Sequence, residues 1–295
     1  MKLCVSTYSL WRWRSDFGKT LEDTIDFVAD NGAAAIEFSG LDDKAKDNPL
    51  KRAAELRAYA AKRGLAVPSY CVGAELLVPA DKQKETIAQV KRDIDIAAEL
   101  GAKSMRHDVT RGWGDHSKGV PGKQNFNTAL AYIVPAVREI TEYGASKGVK
   151  TTLENHGFYM QASTRVEQLI NMVDHPNYGL TIDMGNFLCA NENPIDAVTT
   201  MIKYAFMAHV KDFHIKPKEQ APNVGWIHTP TSVAIRGAIV GHGNIDIPRQ
   251  LRILKEAGYN WYLSLEFEGL EESSFGVKTG LEWLREQLKA IDALD

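Results

Sequence analysis

The chain has 295 residues, 44% hydrophobic and 25% charged, an ordinary globular composition with length for one large domain or two small ones. Thirty-five basic against 38 acidic side chains give a formal net charge of −3, so no basic field awaits a phosphate backbone and nucleic-acid binding is not expected. No window reaches the ~18 apolar residues of a membrane span, and the opening MKLCVSTYSLWRWR lacks the apolar core of a signal peptide.

In chain order, eight β-rich runs alternate with longer amphipathic ones. The strand candidates are 2–8, 33–39, 65–72, 103–108, 150–156, 178–184, 206–212 and 261–267. Helical periodicity falls near 18–30, 50–63, 81–100, 126–148, 163–173, 194–204, 246–257 and 276–292. In the third of these, Ile87, Val90, Ile94 and Ala97 recur at three- and four-residue spacing behind a candidate cap, Asp81. Several helices end at glycine (Gly32, Gly64, Gly101, Gly148, Gly258), the residue that takes a left-handed cap cheaply. Eight regular units with no linker and no dinucleotide fingerprint predict an α/β fold, a single (β/α)8 TIM barrel spanning 1–295. Residues 213–245 interrupt the alternation after the seventh strand. With three prolines and four glycines they read as a long irregular loop over the carboxyl end of the barrel, where this fold builds its sites.

Cys4, Cys71 and Cys189 are odd in number, widely spaced and set among apolar residues. They read as reduced core thiols of a cytoplasmic protein, and none sits in a CxxC.

Four consecutive strands end in ligand-type side chains: Glu154 in TTLENHG, Asp183 in TIDMGN, His209 in AHVKD and Glu266 in LSLEFEG. Strand ends at one mouth of a barrel converge. Three carboxylates and a neutral imidazole left alone there would repel and desolvate one another, and a divalent cation resolves both problems. The set suits one hard to borderline ion, Mn²⁺ first, with Mg²⁺, Co²⁺ or Zn²⁺ as alternatives.

Around these residues the chain resembles the xylose isomerase-like barrel superfamily. Within it, the resemblance is to the sugar phosphate isomerases and epimerases, a group that includes D-tagatose 3-epimerase and inosose dehydratase. It is carried by STYSLW, AIEFSG, LENHG, TIDMGN, HVKD and GHGNIDIPRQLRILKEAGYNWYLSLEFEG. The resemblance implies metal ligands at Glu154, Asp183, His209 and Glu266, with Glu154 and Glu266 also moving protons. Where the epimerases carry a sugar-contacting His, this chain has Asn186, and Met160 lies near the place of a further Glu. The additional zinc ligands of the related endonuclease IV are missing, so one metal and no abasic-site nuclease are expected.

Other side chains fall near the same mouth. His107 ends the fourth strand as a candidate acid or base, and His156 ends the fifth as a sugar contact or partner of Glu154. Lys211 is read as outward-facing, and His242, in GHGNID, closes the long loop before a helix capped near Asp246. Trp11, Trp13, Trp113 and Trp226 fall in predicted loops, and Trp11, Trp113 and Trp226 are candidates for stacking on a sugar. Arg106, Arg111 and Arg236 could grip an anion, and Arg236 and Asn186 join the candidate substrate contacts. The expected activity is a divalent-metal-dependent sugar isomerase or epimerase that forms a metal-stabilised enediolate from a keto-sugar or polyol ketone. The alternatives are a lyase (an inosose-type dehydratase, or β-elimination of a 3-keto-glycoside) and, from another class, a non-catalytic sugar-binding barrel. A homo-oligomer, or a hetero-oligomer with a small β-rich subunit, is the expected assembly.

Overall fold

The computed structural model describes residues 1–295. The first seven strands are β1 (Lys2–Ser6), β2 (Ala35–Ser39), β3 (Ser69–Val72), β4 (Ser104–His107), β5 (Lys150–Glu154), β6 (Tyr178–Asp183) and β7 (Ala205–Val210). After them come β8 (Asp212–Pro217), β9 (Ile227–His228), β10 (Val233–Ala238) and β11 (Tyr262–Leu265). β1 to β7 and β11 form a closed parallel barrel in which each strand pairs with its neighbours in sequence, and β11 closes onto β1. The helices are α1 (Trp11–Phe17), α2 (Leu21–Asp30), α3 (Pro49–Lys62), α4 (Ala80–Leu100), α5 (Phe126–Ser146), α6 (Ser163–Val173), α7 (Pro194–Met201), α8 (Ile247–Glu256) and α9 (Ser273–Ala290). No helix is long and apolar enough to cross a membrane.

Strand alternation decides what faces the barrel axis. Thr152 and Thr181 bond hydroxyl to hydroxyl at 2.8 Å across β5 and β6, whereas the adjacent Thr151 bonds Thr141 of α5 at 2.9 Å. Thr152 therefore points in and Thr151 out, and Glu154 shares the inner face with Thr152. The five glycines expected to stop helices all take positive φ, between 70° and 81°. Asp81 lies inside the first turn of α4 and makes no side-chain cap bond, because the helix already begins at Ala80.

Three expectations need correcting. WRWR is helical, not a loop: α1 runs from Trp11 to Phe17 and stops at Gly18, φ 61°. The strand expected over 206–212 breaks at Lys211, where the chain leaves the barrel. Residues 213–245 are not wholly irregular, since parts of them form an antiparallel sheet of order β8-β10-β9 joined by turns. The prolines permit this because Pro217 ends β8 while Pro222 and Pro230 lie outside the strands, so no ladder donor is lost.

Asp212 ties this sheet to the barrel. Its carboxylate accepts from the backbone N–H groups of Phe213 (2.8 Å), Gly241 (3.0 Å), Gly243 (2.8 Å) and Ile245 (3.2 Å). A Cβ on Gly243 would stand 2.1 Å from Asp212 Oδ1 and 2.7 Å from the Phe213 carbonyl oxygen, so GHGNI wraps the carboxylate only with glycine there. Gly243→Ala is expected to cost about 1–3 kcal/mol of stability, read as a lower urea midpoint. An unchanged midpoint would show that the wrap is loose.

Candidate metal centre and active site

Glu154 ends β5, Asp183 ends β6, His209 lies on β7 and Glu266 follows β11 directly. The ladders place Asp183 opposite His209 and His209 opposite Ser264, so all four side chains reach one level of the barrel. One ligand atom from each lies within 4.8 Å of the others, and none of the four residues is more than 4% exposed. His209 Nδ1 stands 3.5 Å from Glu154 Oε1 and 3.4 Å from Glu266 Oε1. His209 Nδ1 has no hydrogen-bond partner, although buried polar atoms normally do, and Glu154 Oε2 and Asp183 Oδ2 meet only cations, Arg106 and Lys211, outside hydrogen-bond geometry. Convergent hard and borderline donors are what a divalent ion needs, so these residues fit one.

The anions are also met by fixed cations. Arg106 Nε lies 2.9 Å from Glu154 Oε2, and Lys211 Nζ lies 2.8 Å from Glu266 Oε2 and 3.4 Å from Asp183 Oδ2. Burial acts to raise the Glu154 carboxyl, but Arg106 and His209 outweigh it and hold the group well below the usual range. Burial lowers His209, and the carboxylates of Glu37, Glu266 and Glu154 overturn that and hold it well above an ordinary histidine. Asn155 fixes the β5–β6 end, giving Nδ2–H to the Asp183 carbonyl at 2.9 Å and taking the Asp183 N–H at 2.8 Å. Asp183 Oδ1 accepts the N–H groups of Gly185 and Asn186, each at 2.8 Å, which leaves Oδ2 turned inward.

The other predicted residues separate into groups. Asn186 is buried and donates to Glu154 Oε1 at 3.1 Å, so it steadies a quartet carboxylate. His156 stands half-exposed at the rim with Nδ1 3.5 Å from Asp108 Oδ1. Trp11, Trp226 and Arg236 line a cavity of about 410 Å³ together with Tyr8, Phe267 and Glu268. Trp113 is not among its lining residues; its indole N–H bonds the Asn125 carbonyl at 3.0 Å. Trp13 packs against Phe27 with ring centroids 5.4 Å apart. His242 is exposed and only its backbone is engaged, through the Ile239 carbonyl at 2.8 Å. The three arginines do not form a cluster: Arg111 pairs with Glu75, Arg106 with Glu154, and Arg236 with Glu271. A larger cavity of about 620 Å³, among Lys103, Lys150 and Trp261, lies at the amino ends of the strands, away from this chemistry.

Two side chains face opposite to expectation. His107 is fully buried, with Nδ1 2.9 Å from the Asp108 carbonyl and its ring 6.5 Å from that of Tyr178. Arg106 points at Glu154, so the next residue along β4 turns toward the helices. Lys211 is 3% exposed and sits inside the site, because it lies two residues beyond His209 and period two puts both on the inner face. The sequence reading also missed Glu37, Glu268, Tyr8 and Asp108. Glu37 Oε2 is 2.9 Å from His209 Nε2, and Glu268 accepts from the Tyr8 hydroxyl at 2.7 Å while standing 3.5 Å from Lys211. A charged residue inside the apolar run AAAIEFS was the available signal for Glu37.

Fold and site together define a (β/α)8 barrel with a carboxylate–imidazole centre at its mouth. A family model for the xylose isomerase-like TIM barrel matches residues 25–287, and the chain belongs to that family. It is 26% identical over 214 residues to 3-oxo-isoapionate decarboxylase of Pectobacterium atrosepticum, covering 68% of this chain and 71% of that one. It is 24% identical over 149 residues to an inosose dehydratase of Clostridium botulinum, and there it spans 50% of each chain. Among solved structures, D-psicose 3-epimerase with D-tagatose from Clostridium cellulolyticum H10 superposes with a TM-score of 0.73 at 17% identity, over 98% of this chain and 99% of that one. An IOLI protein with a bound zinc atom gives 0.73 at 19% identity, over 99% and 98%. At such identities the structural likeness is one of fold.

Burial pushes the Asp183 carboxyl up to about 6, against Lys211 and with the help of Glu154 and Glu266. A folded-state value above that of the unfolded chain means that the folded, metal-free protein binds more protons between about pH 4 and 6. Asp183 therefore subtracts stability as pH rises through that window. Urea midpoints of metal-free wild type and Asp183→Asn, compared from pH 4 to 7, should show the variant gaining on wild type as pH rises. A constant gap would refute the ionisation of Asp183 in this setting.

Proposed function

We propose that the chain is a divalent-metal-dependent enzyme that removes the proton next to the ketone of a sugar or polyol derivative, with elimination as the favoured outcome. The observation that carries the reading is the buried quartet, four ligand atoms within 4.8 Å; Phe267 and Glu268, which follow Glu266, line a cavity with Trp11 and Trp226. Glu154, Asp183, His209 and Glu266 would hold the ion, Mn²⁺ before Mg²⁺, Co²⁺ or Zn²⁺. When bound, such an ion supplies a Lewis acid that polarises a carbonyl and stabilises the negative charge developing beside it.

This chain's own residues divide the remaining work. Glu154 is held by the Arg106 guanidinium at 2.9 Å and the Asn186 amide at 3.1 Å, and both favour its ionised form. Such a carboxylate is a poor proton donor. Epimerisation by two glutamates requires each to give back a proton, so this arrangement supports a reaction with one base. Glu266 takes the proton, with Lys211 2.8 Å from its Oε2. His156, raised by the Asp108 carboxylate 3.5 Å from its Nδ1 in spite of burial, turns to the rim to protonate a leaving oxygen. Trp11 and Trp226 offer flat apolar faces to a sugar ring or its substituent, and Tyr8 and Glu268 offer hydroxyl partners. The relatives' names, a decarboxylase and a dehydratase, are in keeping with bond cleavage next to a ketone.

A second reading, epimerisation or isomerisation, draws on the presence of two quartet glutamates, which could flank a substrate carbon. The two outcomes separate in D₂O with Mn²⁺-loaded protein and a panel of ketoses, inososes and 3-keto-glycosides. Elimination yields a conjugated enone and a released water or alcohol. Epimerisation yields deuterated substrate of otherwise unchanged composition, and no turnover of any ketone would sink both readings.

Glu154→Ala is expected to leave a folded barrel that retains no metal on elemental analysis, whereas wild type carries about one ion per chain. Active, metal-free Glu154→Ala protein would end the mechanism. His156→Ala should keep its metal and lose about 10²- to 10⁴-fold in kcat, measured by enone absorbance. Full activity would remove His156 from the acid role.

A further inference from the structure

His209 faces two ways. Its Nδ1 looks into the quartet, and its Nε2 lies 2.9 Å from Glu37 Oε2 on β2. Both side chains have no solvent exposure. An imidazole that offers Nδ1 to an ion must carry its proton on Nε2, and whatever accepts that proton's hydrogen bond fixes both tautomer and ring angle.

Glu37 is built into the barrel wall for this position. Its Oε2 also accepts the Ser264 hydroxyl at 2.8 Å, and Ser264 is the ladder partner of His209 on β11. Its Oε1 has no hydrogen-bond partner. A buried carboxylate with an oxygen unpaired destabilises a core that an apolar side chain of equal length would fill. Cys71, which with Glu37 and His209 makes a second close group of ligand atoms, does not convert it into another ion site. With Nδ1 turned to the quartet, Nε2 carries the ring proton beside Glu37 Oε2 at 2.9 Å and has no lone pair for a second ion.

We propose that Glu37 is the positioning residue of the metal centre: it holds the proton of His209 on Nε2, aims Nδ1 at the ion and, by its charge, makes the imidazole a stronger ligand. The inference rests on the quartet being a metal site, and the test keeps the two ideas apart because it reads binding and not turnover. The dissociation constant of Mn²⁺ is measured on the full chain by competition with a chelator. Glu37→Gln keeps an acceptor for Nε2–H but loses the charge, and is expected to weaken binding about 10-fold; Glu37→Met loses both, and about 100-fold is expected.

The decisive arm is a double-mutant cycle. In a His209→Ala background Glu37→Met should weaken Mn²⁺ binding no further, because its effect runs through the imidazole. A general loosening of the barrel would persist in that background and would overturn the proposal. Wild-type affinity in Glu37→Met would do the same. If Glu37→Met does not fold, the near-isosteric Glu37→Gln decides alone, and an unchanged constant overturns the proposal. Failure of wild type itself to bind Mn²⁺ would instead overturn the quartet as a metal site, and this inference with it.

Discussion

Everything at the mouth of this barrel follows from holding five carboxylates, Glu37, Glu154, Asp183, Glu266 and Glu268, at one end of a closed hydrophobic structure. Unpaired, each would be costly to bury. Two permanent cations, Arg106 and Lys211, and the imidazole of His209 meet them at 2.8–3.5 Å. The distribution is uneven. Glu154 shares the Arg106 guanidinium with Asp108 outside the quartet, whereas Asp183 and Glu266 share one ammonium with Glu268. Asp183 is consequently the carboxyl raised by burial and Glu154 the one held down by its partners.

The quartet was legible because strand ends carry position in the sequence itself: a carboxylate closing a β-rich run can only lie at the mouth. Parity was legible too, and Lys211 should have been read as inward from its two-residue spacing to His209. Arg106 and His107 are a harder case. Both end the fourth strand, and the choice between them rests on the register of β4 against β5, in which Arg106 sits opposite Thr152. Nothing local to MRHD encodes that register. Glu37 was marked by its charge inside AAAIEFS, but its pairing lay beyond reach, since its partner on β7 is more than 170 residues further along the chain and only barrel closure brings them together.

The segment 213–245 shows composition misleading in the other direction. Proline and glycine content argued against regular structure, yet the prolines end β8 or lie between strands, and Gly237 and Gly243 stand where backbone approaches backbone. Gly237, on β10, would place a Cβ 2.5 Å from the backbone of Glu268, and it bridges Gly269. Counting turn-forming residues discards their spacing, and here spacing held the information.

That bridge joins the two halves of the site. β10 brings Arg236 into the aromatic cavity, the segment before it brings Trp226, and Gly237 locks the sheet against residues 268–269. Two residues back along that segment is Glu266, while at the other end of the excursion Asp212, wrapped by Gly241 and Gly243, directly follows Lys211. The sheet is thus pinned at both ends to backbone that carries quartet chemistry. A ligand that pressed on Trp226 would strain the placement of Glu266 and Lys211 with it. The excursion is therefore better understood as one wall of the barrel's mouth than as a loop laid over it.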